Sequence, residues 1–471
     1  MNKTYIRFLY LIPLMLMLAC DQILDVNPKQ SIDASIALES QEGIEAALIS
    51  AYNRLQSYKQ YGRDNFAVSE ALSDNAIHTG NSSHLANEAV NNRGYHLDNW
   101  QNSYYGINEV NLIIDALSES DYDASWTASI KGQALFLRAL LYHNLAKSYA
   151  YDPTAIVNEH NYGGVPLMLI GVNDLSKIGT LSRPDINAVY DQMYADLNEA
   201  EQQLSQSNGN SPHRASLAAV DALYSRIALY KGDYSLAIEK ATSALSETQA
   251  QFSSHDAFLS DWRMAVHPES IFEIQFNESE NIGSDRSLRA TFTSRGFYDA
   301  ETFTIQAVIA VSPALYALYL DNDIRKGLIR RGVGNNASYY EMYKFISKSG
   351  VLNLDNVPVL RVSELYLNRA EAYAQNGQDD LARQDINRIR ERAGLNPVDV
   401  TLNGETLLKE ILLQRRLELA FEGHRWFDLK RYGIEVIKPT GNLSFDDYRI
   451  LAPIPDREVK ADNALKQNYH Y

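Results

Sequence analysis

The residue types that support catalysis do not occur here at any standard catalytic spacing. The sequence lacks the HExxH, GxSxG, P-loop and GxGxxG patterns, each of which fixes metal ligands, a nucleophile or a phosphate-binding backbone. Asp321 and Asp323 resemble the start of a calcium loop, but Lys326 stands where that loop needs glycine. Glu278 and Glu280 could flank a glycosidic bond, although solvated loop charge is the simpler interpretation. We therefore predict a protein that is not an enzyme and that needs no metal or cofactor.

The single cysteine supports a different chemistry. One thiol excludes a disulfide framework within the chain, CxxC redox chemistry and a multi-thiolate metal site. It follows two basic residues and an apolar run from Phe8 to Ala19, which is typical of a signal peptide and is shorter than the ~20 residues of a membrane-spanning helix.

The residues around this cysteine resemble a bacterial lipobox, with the sequence Leu18-Ala19-Cys20-Asp21. In a lipobox the cysteine thiol accepts diacylglycerol, and cleavage then exposes its amine for a further acyl chain. Two or more chains hold a protein stably on a membrane, where a single chain does not. We predict that residues 1–19 are a lipoprotein signal peptide and that Cys20 is the lipid-modified first residue of the mature chain. A plain secretory signal with an incidental cysteine is the alternative.

Composition narrows the possible partners. The 43 Lys and Arg residues against 59 Asp and Glu residues give a net charge of −16, which argues against nucleic acid and against adhesion to anionic lipid. Apolar residues make up 45% of the chain and charged residues 22%, as expected of a folded globular protein. Aromatic side chains are abundant, with 30 Tyr, 14 Phe and 4 Trp, so a ligand-binding surface could draw on them.

Helical periodicity dominates the elements that must position any site. Apolar residues recur at helical spacing in four early segments, namely 43–55, 101–117, 129–149 and 184–204. Ser270 to Phe276 alternates apolar and polar residues and predicts a half-buried strand. The periodicity fails in residues 63–99 and 277–304, and irregular segments of that length are usually functional or disordered.

Two later segments resemble each other and predict a repeat. In each, a helical pattern leads to a glycine, Gly232 or Gly377, and a small residue follows five positions later, Ala237 or Ala382. A helix, a glycine turn and a second helix over about 34 residues is the tetratricopeptide pattern. An ordinary helical hairpin would explain either segment alone, but the matched spacing favours a repeat.

The run Arg415 to Arg431, which reads RRLELAFEGHRWFDLKR, resembles the C-terminal signature of the SusD/RagB family of Bacteroidetes lipoproteins. Further matches follow in the family's order at Tyr162 to Leu167, at Arg183-Pro184, at Val362 to Glu371 and in the ending Leu451 to Pro455. The resemblance implies a mainly α fold, with tetratricopeptide-like helical hairpins plus a loop-rich half with a few short strands. It also implies one compact body, with an N-terminal region over residues 20–215 and a RagB/SusD C-terminal region over residues 216–471.

The resemblance implies a cell-surface lipoprotein of the outer membrane that binds oligosaccharide. Such a protein delivers its glycan to a SusC-like TonB-dependent transporter, and it binds no nucleic acid. Three alternatives stay open, namely peptide capture by a RagB-like lipoprotein, an unrecognised glycoside hydrolase, and a purely structural scaffold.

The family signature itself is better interpreted as structural than as catalytic. At helical spacing its charged residues could form one connected ion-pair network, with members Arg415, Glu418, Glu422 and Arg425. Its apolar residues would pack in the core, namely Leu419, Phe421 and Trp426.

We expect the ligand in the two irregular segments, where aromatic rings could cover sugar C–H faces and polar groups could reach hydroxyls. The candidates are Asp74, Asn75, His78, Arg93 and Tyr95 in the first segment, and Arg289, Phe292, Arg295, Phe297 and Tyr298 in the second. Trp100 and Tyr104 begin a helix that matches the family pattern, and we interpret them as core residues.

Overall fold

The computed structural model describes residues 38–119, 121–205, 211–299, 306–348 and 350–471. The predicted signal peptide and Cys20 lie outside these residues. The helices within them are α1 (Gln41–Gln56), α2 (Asp64–Leu72), α3 (Trp100–Ser118), α4 (Ala124–Tyr149), α5 (Ile186–Leu204), α6 (Leu217–Lys231), α7 (Tyr234–Glu247), α8 (Phe258–Asp261), α9 (Leu288–Phe292), α10 (Pro313–Tyr316), α11 (Val362–Gln375), α12 (Asp379–Arg392), α13 (Gly404–Glu418), α14 (Arg425–Arg431) and α15 (Asp456–Ala461).

The predicted repeat consists of two helical hairpins, α6–α7 and α11–α12. Gly232 and Gly377 occupy the turns in the left-handed region, with φ of 84° and 70°, a conformation that glycine adopts without steric cost. Ala237 and Ala382 are fully buried, which lets the paired helices approach closely. The predicted helical hairpins are therefore confirmed.

Six short strands form two small sheets within the described residues. They are β1 (Ala76–His78), β2 (Ser270–Ile274), β3 (Ile309–Val311), β4 (Ile329–Arg331), β5 (Tyr340–Met342) and β6 (Val357–Arg361). One sheet is antiparallel in the order β1-β3-β5-β4, and the other pairs β2 with β6. The predicted strand at 270–276 exists but is buried along its whole length. Its polar Glu273 is also buried. The carboxylate accepts hydrogen bonds from the Ser270 hydroxyl and the His267 amide, which offset the cost of burying it.

The first irregular segment contains a helix that the periodicity does not predict. Helix α2 is buried on every side, so its apolar and polar residues do not alternate with a helical period. Glu70 lies within it, fully buried, and accepts hydrogen bonds from the Asn75 side chain at 2.9 Å and the Gly423 amide at 3.1 Å. The second irregular segment likewise contains the short helix α9.

The main hydrophobic core is continuous and draws on residues from Ile44 to Leu465. Its central element is α4, which is buried on most of its circumference from Ile130 onward. With few and short strands, the fold is mainly α, as predicted. None of the helices in the described residues is both long and apolar enough to span a membrane.

The C-terminal signature forms buried ion pairs, but within the described residues the four residues predicted to form one network do not pair with one another. Arg415 pairs with Asp428 at 3.0 Å, and Arg425 pairs with Asp74 at 2.7 Å. Glu418 and Glu422 instead share Arg361, at 2.9 and 2.7 Å, which comes from the end of β6.

The partners differ from those predicted because the chain after α13 turns sharply at Phe421, where φ is 63°. Glu422 and Arg425 therefore do not continue the helix that carries Arg415 and Glu418. Leu419, Phe421 and Trp426 are buried as expected.

Candidate ligand-binding face

The four-stranded sheet holds together the loops that were predicted to bind a ligand. Ala76 of β1 lies opposite Val311 of β3, and Ile329 of β4 lies opposite Met342 of β5. The loop after β1 joins the same assembly, because the Tyr339 hydroxyl donates a hydrogen bond to the Thr79 carbonyl at 3.1 Å. Strands β1 and β4 are nevertheless the two edges of the sheet, about 14 Å apart at ~4.8 Å per strand. The two irregular segments therefore flank the sheet rather than enclose one pocket.

Three of the predicted site residues are buried and bind protein groups. Asn75 is fully buried between Glu70 and Arg416. Arg289 is also fully buried, and its Nε donates to the Asn353 side chain at 2.8 Å. The Phe292 ring packs edge-on against Phe421, with centroids 5.0 Å apart. In this structure these three side chains stabilise the loops and do not reach solvent.

Asp74 lies between two arginines of the C-terminal signature. Its carboxylate accepts from Arg425 Nε at 2.7 Å and lies 3.2 Å from Arg416. Burial alone would raise the pKa of Asp74, but the two guanidinium groups hold it below its usual value. All three side chains keep a small solvent-accessible fraction, between 13 and 17%.

His78 and Arg295 are both half-buried. The His78 ring bonds locally, with Nε2 3.0 Å from the His84 carbonyl and Nδ1 accepting from the Gly80 amide at 3.1 Å. The Arg295 backbone carbonyl accepts from the Thr293 hydroxyl at 2.9 Å.

Arg93 lies apart from the sheet, against a cluster of rings near the chain end. It donates to the His470 carbonyl at 2.8 Å and lies over the Tyr448 ring. Tyr95 nearby in the chain is 48% exposed. We call the surrounding rings the C-terminal aromatic cluster; its members are His160, Tyr162, Tyr448, Tyr469, His470 and Tyr471. The run Tyr469-His470-Tyr471 is the sequence signal for this cluster, and it belongs to neither of the irregular segments.

Phe297 is the most solvent-accessible of the five predicted residues in the second irregular segment, and Tyr298 next to it is half-buried. Phe297 is 39% exposed. The Tyr298 ring lies between two guanidinium groups, with Arg263 Cζ at 4.5 Å and Arg330 Cζ at 4.8 Å from its centroid. Arg330 also donates to the Tyr298 carbonyl at 2.9 Å. We call Arg263, Tyr298 and Arg330 the arginine–tyrosine clasp.

Sequence reasoning missed both arginines of this clasp. Arg330 lies on β4, and Arg263 comes two residues after the end of α8, so both are far from Tyr298 along the chain. Neither stands in a motif, and only the folded chain brings them to one ring.

A concavity of about 700 Å³ lies beside the start of α3, at a different place from the arginine–tyrosine clasp. Its lining includes the aromatic residues Tyr104 and Tyr105 and the aliphatic residues Ile178, Leu181 and Leu465. Trp100 is only 4% exposed, which confirms it as a core residue. Tyr104 is half-buried and donates its hydroxyl proton to the Pro166 carbonyl.

Comparison with solved structures defines the class of fold. A SusD superfamily protein from Bacteroides thetaiotaomicron matches with a TM-score of 0.80 at 23% identity, over 91% of this chain and 99% of that one. A second structure, described as a laminarin-binding SusD-like protein, matches with a TM-score of 0.73 at 23% identity, over 92% of this chain and all of that one. The molecule has a SusD-like fold.

Sequence comparison then identifies the family. Residues 324–471 match the SusD family model, and residues 22–229 match a model described as starch-binding and associating with the outer membrane. SusD-like protein P38 of Formosa agariphila is 25% identical over 99% of this chain and 98% of its own length. The starch-binding protein SusD of Bacteroides thetaiotaomicron is 30% identical over 25% of this chain and 22% of its own. The chain belongs to the SusD/RagB family.

Proposed function

We propose that this protein binds oligosaccharides at the cell surface and passes them to a SusC-like TonB-dependent transporter of the outer membrane, without catalysing a reaction. The observation that carries the proposal is the exposed Phe297 beside the arginine–tyrosine clasp. It joins an open aromatic ring to hydrogen-bond donors that can reach hydroxyl groups. Sugars need both features, an apolar surface for their C–H face and polar partners for their hydroxyls. The laminarin-binding neighbour and the starch-binding relative support a carbohydrate ligand.

Binding is tested by calorimetry on residues 20–471, with Cys20→Ser to keep the chain free of lipid. The chain is titrated with neutral oligosaccharides such as laminarin and maltose oligomers, with acidic oligosaccharides, and with mixed peptides. Saturable binding of at least one oligosaccharide class is expected, together with no release of reducing ends over hours. Binding of peptides alone, or steady cleavage of the glycan, would contradict the proposal.

The membrane part of the proposal rests on Cys20, which we propose as the lipid attachment site. A chain carrying an affinity tag at its C terminus, expressed in a Bacteroidetes host, should incorporate labelled palmitate and sediment with the outer membrane. The Cys20→Ser variant should lose both properties, whereas Ser31→Ala in the same segment should keep them. Surface proteolysis of whole cells tests the exposed location, and co-purification of a TonB-dependent transporter tests the partner.

Residues 20–215 and 216–471 would act as one rigid body in this proposal. Limited proteolysis of the mature chain checks this, because a resistant core that retains both regions is expected.

A further inference from the structure

The two arginines of the clasp lack the carboxylate partners that most arginines here possess. In helices α4 and α6, for example, Arg138 pairs with Asp196 and Arg226 pairs with Glu364, each at 2.5 Å. Among the residues that the structure describes, no Asp or Glu oxygen lies within 4.0 Å of the side chain of Arg263 or Arg330. In a chain with 59 acidic side chains, two adjacent guanidinium groups without a carboxylate are a distinctive local arrangement.

The carboxylate of Glu341, which lies opposite Arg330 in the sheet, is hydrogen-bonded to other groups. Glu341 lies directly opposite Arg330 in the β4–β5 pair. Its oxygens accept from the Ser294 amide and hydroxyl at 2.9 and 3.0 Å, and from the Asn336 side chain at 3.1 Å. Glu341 is fully buried, so it holds the loop at Ser294 in place instead of pairing with Arg330.

The ring of Tyr298 fixes where the two positive charges lie. Both guanidinium groups are held at cation–π distance from one ring, and Arg330 is further restrained by the Tyr298 carbonyl and by the Tyr343 ring at 5.2 Å. Restraining a guanidinium group before binding reduces the entropy that is lost when a ligand orders it. Tyr366 on the second helical hairpin also has two arginines over its ring, Arg388 at 5.2 Å and Arg369 at 5.7 Å, but Arg369 pairs with Asp385 at 2.7 Å. The clasp differs because neither of its two arginines has a carboxylate partner within the described residues.

We propose that the clasp selects acidic oligosaccharides, in which a carboxylate or sulfate group of the sugar binds Arg263 and Arg330. This inference rests on the proposed function and names its substrate class. Guanidinium groups bind planar carboxylates and sulfates through paired N–H donors, with stronger hydrogen bonds than hydroxyl groups accept. The sugar ring next to the charged group would then cover the exposed Phe297, which follows Arg295 and Gly296 in the same loop.

Calorimetric titration of the Cys20→Ser mature chain tests the inference with three probes of matched length. They are a uronic-acid tetrasaccharide from alginate, a sulfated tetrasaccharide from carrageenan, and neutral laminaritetraose. At least one acidic probe should bind about tenfold or more tightly than the neutral one, as expected for hydrogen bonds to a charged group. Comparing the alginate and carrageenan probes shows whether the clasp prefers a carboxylate or a sulfate group. Affinity for the preferred probe should fall as salt rises from low to physiological concentration.

Variants locate the effect at the clasp. Arg263→Gln and Arg330→Gln should each weaken binding of the acidic probe about tenfold and leave any binding of the neutral probe unchanged. Arg388→Gln is the matched control, because it removes the same charge from an arginine that lies over a tyrosine ring outside the clasp and has no carboxylate partner among the described residues, and it should change neither affinity. Far-UV circular dichroism and the unfolding midpoint show that each variant is folded.

The outcomes separate this inference from the function on which it rests. Equal or tighter binding of laminaritetraose, with no effect of either clasp variant, overturns the acidic-sugar inference and leaves glycan capture intact. Binding of acidic peptides but of no oligosaccharide overturns both, as does the absence of binding to every oligosaccharide class tested.

Discussion

Two groups of arginines in this molecule have opposite surroundings. Arg361, at the end of β6, is 2% exposed and pairs with Glu269, Glu418 and Glu422 at 3.1, 2.9 and 2.7 Å. Arg263 and Arg330 of the clasp contact one tyrosine ring and have no carboxylate partner within the described residues. A buried charge needs its partner to offset desolvation, whereas an accessible charge without a partner is available to a ligand. The family's most recognisable motif therefore stabilises the fold, and the clasp lies in a region that carries no motif.

The largest effect should come from breaking the buried group. Arg361→Met would remove the cation that three buried carboxylates share, while Lys344 would still pair with Glu422 and Arg392 with Glu418. We expect a loss of about 3–5 kcal/mol in the free energy of unfolding. Urea-induced unfolding followed by tryptophan fluorescence measures it, since Trp262 lies beside this guanidinium at 5.6 Å.

A matched control removes an arginine whose carboxylate is on the surface. Arg383 pairs with Asp380, whose side chain is 90% exposed, so Arg383→Met should cost under about 1 kcal/mol. If the two variants lost equal stability, the difference between buried and accessible pairs would not hold.

The next effect concerns Glu70, a buried carboxyl with no cationic hydrogen-bond partner. Burial raises its pKa to about 7, although bonds from Asn75 and Gly423 oppose the shift. Because the folded pKa lies above the unfolded one, the folded state binds the extra proton. Protonated Glu70 therefore contributes to the free energy of unfolding. This contribution is complete below about pH 4.5, is lost as pH rises through about 7, and amounts to about 3 kcal/mol in all.

Glu70→Gln isolates this pH dependence, since glutamine resembles the protonated carboxyl group. Unfolding free energies at pH 5 and pH 8 should show the wild type losing about 3 kcal/mol relative to the variant. A difference between the two proteins that stays constant with pH would contradict the assignment. Glu278→Gln, on an exposed loop, serves as the control for removing one carboxylate.

The helical hairpins could be predicted from the sequence because their signals are local. Gly232 and Gly377 mark the turns, and Ala237 and Ala382 mark the packed faces, each within a few residues of the other. Helix α2 could not be predicted, because burial on all sides removes the alternation from which a helix is recognised.

Only part of the candidate site could be predicted, because only part of it gives a local signal in the sequence. Tyr298 and Phe297 were predicted because irregular, aromatic-rich segments are visible in a sequence. Arg263 and Arg330 were not, because their significance lies in sharing one ring across a long separation along the chain. The ion pairs of Glu418 were mispredicted for the same reason, since its partner Arg361 comes from a distant strand.

Asp74 lies between the two groups and should show an intermediate effect. It is paired with Arg425 and Arg416, and all three side chains remain slightly accessible. Asp74→Asn would leave two guanidinium groups without their shared carboxylate, and we expect a loss of about 2 kcal/mol at pH 7, between surface and buried pairs.

Acid titration checks this assignment of Asp74. Its folded pKa is lowered despite burial, so its contribution is present above about pH 4 and is lost as pH falls through the folded pKa. The stability difference between Asp74→Asn and the wild type should therefore shrink in acid. A difference that grew in acid would contradict the lowered pKa. Asp321→Asn, a fully exposed partner of Lys326, should leave stability unchanged.

The smallest effect on stability should come from the clasp itself. Arg263→Gln and Arg330→Gln each remove a partly exposed cation–π contact, and the expected loss is under about 1 kcal/mol. The same two variants are expected to produce the largest losses of acidic-glycan affinity. Arg361→Met should show the reverse, a large loss of stability with unchanged affinity in the fraction that remains folded. Measuring unfolding and binding on all three variants therefore tests whether pairing with a carboxylate separates structural arginines from ligand-binding ones. If Arg330→Gln unfolded as readily as Arg361→Met, the guanidinium of Arg330 would belong to the structural group, and the absence of a carboxylate beside it would no longer indicate a ligand.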